Sequence, residues 1–283
     1  MSKPKKSYRC AKSTCVGLMI GLGCVFCSIA ASDNIESFFN LPSIFITIGG
    51  TIGSVIMAFP PKRLKSLGSV MHRAFQTDKS DPMADVNMLV QLADIARREG
   101  LLALDRVIGE YTDDPFIERG LMLIVDGADE EQLRYSLEGD TYYMQHRHKE
   151  GCGMLNMIAA TAPALGLMGT YIGLIPMLCH LEDPTKLGPL MALELVTSFY
   201  GAFIAYVIFS PLAKRLKNMN EEEVLHREIV TEGLAGIQQG KNPRVIHQDL
   251  MHFLNCDEEY KTLRKGGAEN VNDPDIFVKG KVS

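Results

Sequence analysis

An all-α integral membrane protein is the fold class that this 283-residue sequence predicts: four transmembrane helices, a helical cytoplasmic domain between spans 2 and 3, and a helical C-terminal extension. Three observations predict it. First, the stretches 13–32, 37–61, 151–181 and 187–213 hold a single charged side chain, Glu194, although 22% of the chain is charged. Each reaches the roughly 20 apolar residues that a helix needs to cross a bilayer core of about 30 Å. Second, Lys and Arg alternate between the connecting segments: five in 1–12, none in 33–36, twelve in 62–150, one in 182–186 and eleven in 214–283. Third, the polar segments carry helical periodicity and no strand-like alternation. The near-zero mean hydropathy of +0.04 is therefore the average of an oily part and a highly charged part. A purely soluble domain, a disordered chain and a disulfide-rich secreted module are excluded.

The elements follow in order. The tail 1–12 is basic, which places it in the cytoplasm. The first hairpin, 13–61, holds the spans 13–32 and 37–61. Ala30-Ala31-Ser32 would suit signal-peptide cleavage, but the apolar run outlasts a signal core and leads almost directly into the next run, so it is read as a retained span. In 62–150, Asp81-Pro82 opens a helix with Val86, Leu89, Val90, Ala93 and Ala96 at helical spacing. Gly100 interrupts it, Leu101, Leu104, Val107 and Ile108 form a second apolar stripe, and Asp113-Asp114-Pro115 is a further break. After Asp126-Gly127, the run Ala128-Asp129-Glu130-Glu131 starts a helix with acids where the helix dipole favours them.

The second hairpin, 151–213, holds the spans 151–181 and 187–213. The third run exceeds what a bilayer needs and is expected to continue as a helix into the aqueous phase. Lys214, Arg215 and Lys217 mark the inner membrane surface. The extension 214–263 continues as an amphipathic helix through Val224, Leu225, Val230 and Leu234. Asn242-Pro243 then starts a short helix with Ile246, Leu250, Phe253 and Leu254 on one face, and 264–283 reads as a flexible tail. Both termini and 62–150 face the cytoplasm, and the two short connections face outward.

The sequence holds no phosphate-cradling glycine loop, no HExxH and no Ser/His/Asp order, so an enzyme is not expected. His146 and His148, two apart on a helix, point away from each other and read as surface residues. Cys24-x-x-Cys27 lies inside a span with no His or second CxxC nearby, so neither zinc nor redox chemistry follows, and no metal or cofactor is expected. The net charge of −5 argues against nucleic-acid binding.

The spans are more informative. Gly49xxxGly53 and Gly169xxxGly173 are small-residue faces that let helices approach closely. Pro163 and Pro176 fall within the third span and Pro211 ends the fourth; each frees a backbone carbonyl and kinks its helix. Thr170 and Ser198 carry hydroxyls that either line a polar path or bond the carbonyls of their own helix. Glu194 lies one turn from Ser198 on the same face, either near the mouth of an ion path or snorkelling to the surface. Hydroxyls in two spans without a mid-membrane acid point to a partner chain that supplies the acid.

Phe39-Asn40-Leu41-Pro42-Ser43, Ile48-Gly49-Gly50-Thr51-Ile52-Gly53 and Ala58-Phe59-Pro60 together resemble the second span of the flagellar stator MotA family. So do ARREGLLALD at 96–105, LMLIVDGAD at 121–129, APALGLMGTYIGLI at 162–175, TSFYGAFIAYVIFSPLA at 197–213 and GIQQGKNPRVIHQDL at 236–250. The resemblance covers about 37–254, in order. TolQ and ExbB are relatives that lack the first hairpin and these cytoplasmic motifs; a TolQ/ExbB-like energiser of an envelope partner is the alternative.

The resemblance implies a homo-pentameric ring in the bacterial inner membrane, around MotB-like single-span, peptidoglycan-binding subunits whose span carries the ion-binding aspartate. Ion flow, of protons or sodium, would turn the ring against the rotor protein FliG; protons are the expectation on frequency. By motif match, Arg97 and Asp105 are the torque-transmitting charges, with Arg98 and Glu99 as helpers. Pro163 and Pro211 match the family's conformational-coupling prolines, and Thr170 and Ser198 its ring-lining hydroxyls. Two departures stand out. Ser198 occupies a position where the family usually has Thr and keeps the hydroxyl. Glu194 stands where an apolar or small residue is usual, so it is expected to modify ion entry in this member.

Overall fold

The computed structural model describes residues 9–10, 12–31, 35–77, 82–109, 114–179, 181–182 and 184–254. The start of the basic N-tail, Asp81, Asp113, part of the 33–36 connection and the tail expected over 264–283 lie outside the described residues. Helix α1 is Lys12–Ala30. In the second apolar run, the Asn40 side chain accepts from the Ser43 N–H at 3.2 Å and starts α2, Leu41–Ile44. Pro42 sits in the first turn, where a missing N–H costs nothing. The helix passes through a wider π turn, Phe45–Gly49, into α3, Gly50–Ala58. It stops because Phe59 is extended ahead of Pro60-Pro61. The sequence reading of 37–61 is therefore too long: Ile35–Phe38 is a separate 3₁₀ turn, and the apolar helix is Leu41–Ala58.

Two short helices follow, α4 (Pro61–Leu64) and α5 (Leu67–Ala74). Helix α6, Pro82–Glu99, ends at Gly100, whose φ of 88° is left-handed and favours glycine. A 3₁₀ turn, Leu101–Ala103, and α7, Leu104–Val107, carry the second apolar stripe. Asp114 accepts from Phe116 N–H at 3.0 Å and caps α8, Pro115–Val125. Asp129 accepts from Gln132 N–H at 2.8 Å at the start of α9, Glu130–Cys179. At 50 residues α9 far exceeds a bilayer's requirement, as expected for the third run. The fourth run begins in α10, Pro184–Ala202, continues as a π stretch, Phe203–Phe209, and runs on in α11, Ser210–Gln238. Helix α12, Pro243–Met251, is capped by Asn242 accepting from Arg244 N–H at 3.0 Å. One two-residue antiparallel pairing, Arg9–Cys10 with Gln76–Thr77, accompanies the helices.

The chain forms two compact units. One is drawn from 82–139 and 225–254. Its core is Leu89, Leu92, Leu104, Ile117, Leu121, Ile124, Leu133, Leu137, Ile229, Leu234, Ile246 and Leu250. Two glycines allow the close approach: a Cβ on Gly120 would lie 2.4 Å from Leu234, and one on Gly233 would lie 2.7 Å from Leu89. Arg134 donates to both carboxylate oxygens of Glu232, at 2.8 and 3.0 Å, and to Glu130 at 2.8 Å.

A half-buried charge cluster sits in the same unit. His226 Nδ1 lies 2.6 Å from Asp85 and Nε2 lies 3.4 Å from Asp114. Burial alone would push the imidazole down, but the carboxylates of Asp114 and Asp85 outweigh it and raise it from 6.5 to about 9. The folded state thus holds the proton more tightly than the unfolded chain. The resulting stability is complete below pH 6.5 and is lost as pH rises through about 9. Thermal unfolding of the purified protein between about pH 6 and 10 is expected to show a melting temperature that falls across that window. His226→Asn is expected to flatten the fall; an unchanged slope would mean the cluster does not carry it.

The other unit is drawn from 9–77 and 140–224. Helix α5, which the sequence does not single out, turns Leu67, Val70, Met71 and Ala74 inward against Leu155, Leu212, Ala213 and Leu216. His146 is exposed as expected, but His148 is half-buried and hydrogen-bonded to Asn220 at 3.0 Å, because α11 runs beside α9 there. Among the described residues, three helices are long and apolar enough to cross a membrane: Leu41–Ala58, Glu130–Cys179 and Leu187–Gln238. Thr14–Ala30 is a shorter apolar helix.

Candidate functional site

The membrane-length helices α9 and α10 meet through glycine. On α9, Gly166, Gly169 and Gly173 recur at the three- and four-residue spacing that shares one helix face. On α10, Glu194, Thr197 and Gly201 have the same spacing. A Cβ on Gly169 would lie 2.0 Å from Thr197 Cγ2, and one on Gly173 would lie 2.6 Å from Glu194 Cγ. In the reverse sense, a Cβ on Gly201 would lie 2.6 Å from the Ala162 carbonyl oxygen and 3.1 Å from Pro163 Cα. Of the two GxxxG faces in the sequence, Gly169xxxGly173 is therefore used within the chain. Gly49 and Gly53 have nothing within 4 Å among the described residues.

Of the sequence-predicted prolines, Pro163 falls at this contact. Pro163 lies against Gly201 at the point of closest backbone approach. Pro211 is the second residue of α11, just after the π stretch. Lacking an N–H, Pro211 cannot donate to the Val207 carbonyl four residues back, and a widened turn is the usual accommodation.

The hydroxyls divide. Thr170 sits beside Gly169, but its Oγ1 donates at 2.6 Å to the Leu167 carbonyl of its own helix. Ser198 presents its backbone to α9, with its Cα 3.4 Å from where a Gly166 Cβ would be. The buried hydroxyls are others. Thr197 and Ser43 are fully buried and hydrogen-bonded to each other at 2.7 Å, joining α10 to α2. Thr47 donates to the Ser43 carbonyl at 2.7 Å and Thr51 to the Thr47 carbonyl at 2.6 Å, extending a polar line along the second-run helix. Sequence reasoning misses Ser43 and Thr197; the available signal is the four-residue spacing of Ser43, Thr47 and Thr51 within an otherwise apolar run. Glu194 is half-buried: one carboxyl oxygen, Oε1, is enclosed against Gly173 with no hydrogen-bond partner among the described residues.

The charged motif lies in the other unit, around the Gly100 turn. Arg98 pairs with Asp94 one turn back at 2.9 Å, and Arg106 reaches across the turn to Glu99 at 2.8 Å. Arg97 and Asp105 are exposed and make no ion pair among the described residues. The structure thus separates the four expected residues into two engaged in local pairs and two open to another surface. Arg106 and Asp94, which hold the pairs, are not singled out by sequence. Exposed pairs of this kind contribute about 0–1 kcal/mol, so the fold does not depend on them.

Comparison with known proteins shows the family. The sequence matches the MotA/TolQ/ExbB proton channel family over residues 109–229 and the motility protein A N-terminal family over 15–100. It is 39% identical to motility protein A of Treponema phagedenis over 84% of this chain and 90% of that protein. It is 34% identical to chemotaxis protein PomA of Vibrio alginolyticus over 86% of this chain and 95% of that one. The fold superimposes on a chain of the flagellar MotAB stator complex from Bacillus subtilis with a TM-score of 0.80 and 32% identity, covering 89% of this chain and 99% of that chain. Identity of this level over nearly the full length of each relative, on the same fold, makes the chain a member of the motility protein A branch of the MotA/TolQ/ExbB proton channel family.

Proposed function

We propose that this chain is a MotA-like stator subunit of the bacterial flagellar motor, which with a MotB-like single-span, peptidoglycan-binding partner converts ion-motive force into torque on the rotor protein FliG. The observation that carries the reading is the full-length likeness to a chain of a MotAB stator complex. The match of 15–100 to the motility protein A N-terminal family favours this over a TolQ/ExbB-like energiser, since that region carries the first hairpin and the start of the rotor motif, with Arg97, Arg98 and Glu99.

In this reading the subunit spans the inner membrane four times. The helix Thr14–Ala30 acts as the first span, about 25 Å long at 1.5 Å per residue, close to the thinner end of bilayer cores. The alternation of Lys and Arg supports cytoplasmic termini and a cytoplasmic 62–150. Five copies form a ring. Gly49 and Gly53, with nothing within 4 Å among the described residues, offer a face for a neighbouring helix. Thr170, Ser198 and Glu194 line the ion path, which carries protons, with sodium the other candidate. Pro163 and Pro211 let the fourth-run helix shift against α9, and Arg97 and Asp105, supported by Arg98 and Glu99, engage the rotor.

Rotation of tethered cells that carry this chain and its partner as their only stator is the test. Speed should follow the proton gradient imposed at constant sodium. Rotation that follows only an imposed sodium gradient would reassign the ion, and absence of rotation in both would remove the motor reading.

A further inference from the structure

Glu194 is the only charged residue in the four apolar runs, and nothing in ordinary packing requires it. It enters α10 about 10 Å from Leu187, at 1.5 Å per residue, inside the apolar helix and away from its end. The side chain lies flat on Gly173, whose missing Cβ makes its room: any larger residue there would meet Glu194 Cγ at 2.6 Å. Oε1 is sealed from solvent and has no hydrogen-bond partner among the described residues. An enclosed carboxyl oxygen without a donor is destabilising, and an apolar side chain of similar size would fill the same space without that cost. The site therefore holds a carboxyl at a stability cost, on the face of α10 that carries the Thr197–Ser43 hydrogen bond one turn further along.

Resting on the stator reading above, we propose that Glu194 itself carries the proton, as a relay carboxyl of the ion path contributed by this subunit. In the loading step an O–H bond forms at the carboxylate as a hydronium ion becomes water. In the unloading step that bond breaks and the proton passes to the next base along the path, restoring the carboxylate. A proton needs only the carboxylate itself, whereas a metal cation needs several oxygen ligands gathered round it. Few other titratable groups face it. Helix α9 presents exposed Tyr171 and Cys179, and the second-run helix has none from Leu41 to Ala58. On α10 itself, Tyr200 donates its hydroxyl to the Phe38 carbonyl.

The test compares wild type, Glu194→Gln and Glu194→Asp in the complete complex with the partner subunit. Rotation speed is measured across external pH, with membrane level and co-purification of the partner measured in parallel. The expected result is normal assembly for all three. Glu194→Gln should then lose about a hundredfold or more in speed, the low end of what one proton-transfer group contributes, and Glu194→Asp should keep a pH-dependent fraction. Wild-type speed for Glu194→Gln at every pH would overturn the proposal and leave the stator reading intact. Equal losses in Gln and Asp variants together with reduced assembly would assign Glu194 a structural role and overturn it as well. Wild-type rotation that answers only to sodium would overturn the proton assignment, whereas a wild type that rotates in no gradient would remove the stator reading first.

Discussion

Gly201→Leu is expected to abolish rotation and to lower the amount of subunit held in the membrane. The reason is local and steric. A Cβ at position 201 would sit 2.6 Å from the Ala162 carbonyl oxygen and 3.1 Å from Pro163 Cα. Both obstacles are backbone, so no rotamer change relieves the clash, and α9 and α10 must separate. Overpacking a tight site costs about 1–3 kcal/mol even where side chains can adjust. Here separation would also withdraw Gly169 from Thr197 and Gly173 from Glu194, losing the contact of the whole face. Between membrane helices that contact is the main source of association, since lipid is as apolar as the side chains it replaces. Gly201→Ala should show a graded form of the same defect. Gly139→Ala is the control: it lies in the same long helix as Gly169, with nothing within 4 Å, and should leave rotation and melting temperature unchanged or slightly raised. Near-normal rotation of Gly201→Leu would mean that the helices do not need this approach.

Arg97→Glu is expected to stop productive swimming while leaving expression, membrane insertion and partner binding at wild-type levels. Arg97 is exposed and makes no ion pair among the described residues, so the fold loses nothing measurable when its charge is reversed. A rotor surface that meets Arg97 with carboxylates would instead meet like charge. Such juxtaposition costs several kcal/mol, and each 1.4 kcal/mol is about tenfold in engagement. Asp105→Arg should behave similarly. Arg98→Glu should have a smaller effect, because Arg98 is already committed to Asp94 at 2.9 Å. Partial rescue of Arg97→Glu by an opposite reversal on the rotor would identify direct contact. Loss of the protein from the membrane would instead assign Arg97 to the fold.

Much of the fold is legible in the order of the residues. The caps at Asp114, Asp129 and Asn242, the stop at Gly100 and the overlong third helix all follow from side chains acting on their own backbone within a few residues. The charged motif is legible through its likeness to a family, and its division into paired and open residues needs only the Gly100 turn to bring Arg106 to Glu99. The misreadings share a cause. The second span reads as too long because Phe38 and Phe59 are apolar, although Asn40 and the Pro60-Pro61 pair set the ends of the helix. Helix α5 escapes notice because eight residues give too little periodicity to stand out. His148 reads as a surface residue because its partner, Asn220, is 72 residues away.

Apolar run length, the alternation of Lys and Arg, and helix start and stop signals are properties of neighbouring residues. By themselves they determined which stretches are apolar enough to cross a membrane, which segments are polar and which family the chain resembles. Tertiary structure alone decided which distant residues meet. It put Gly169 under Thr197, Ser43 on Thr197, His226 between Asp85 and Asp114, and Glu194 on Gly173 with one oxygen sealed. Those pairings depend on how closely two helices can approach and at what rotation, which is fixed by the shapes of both faces together. A sequence shows each face singly, and Glu194 could be read from it equally as a surface anchor or as part of a path.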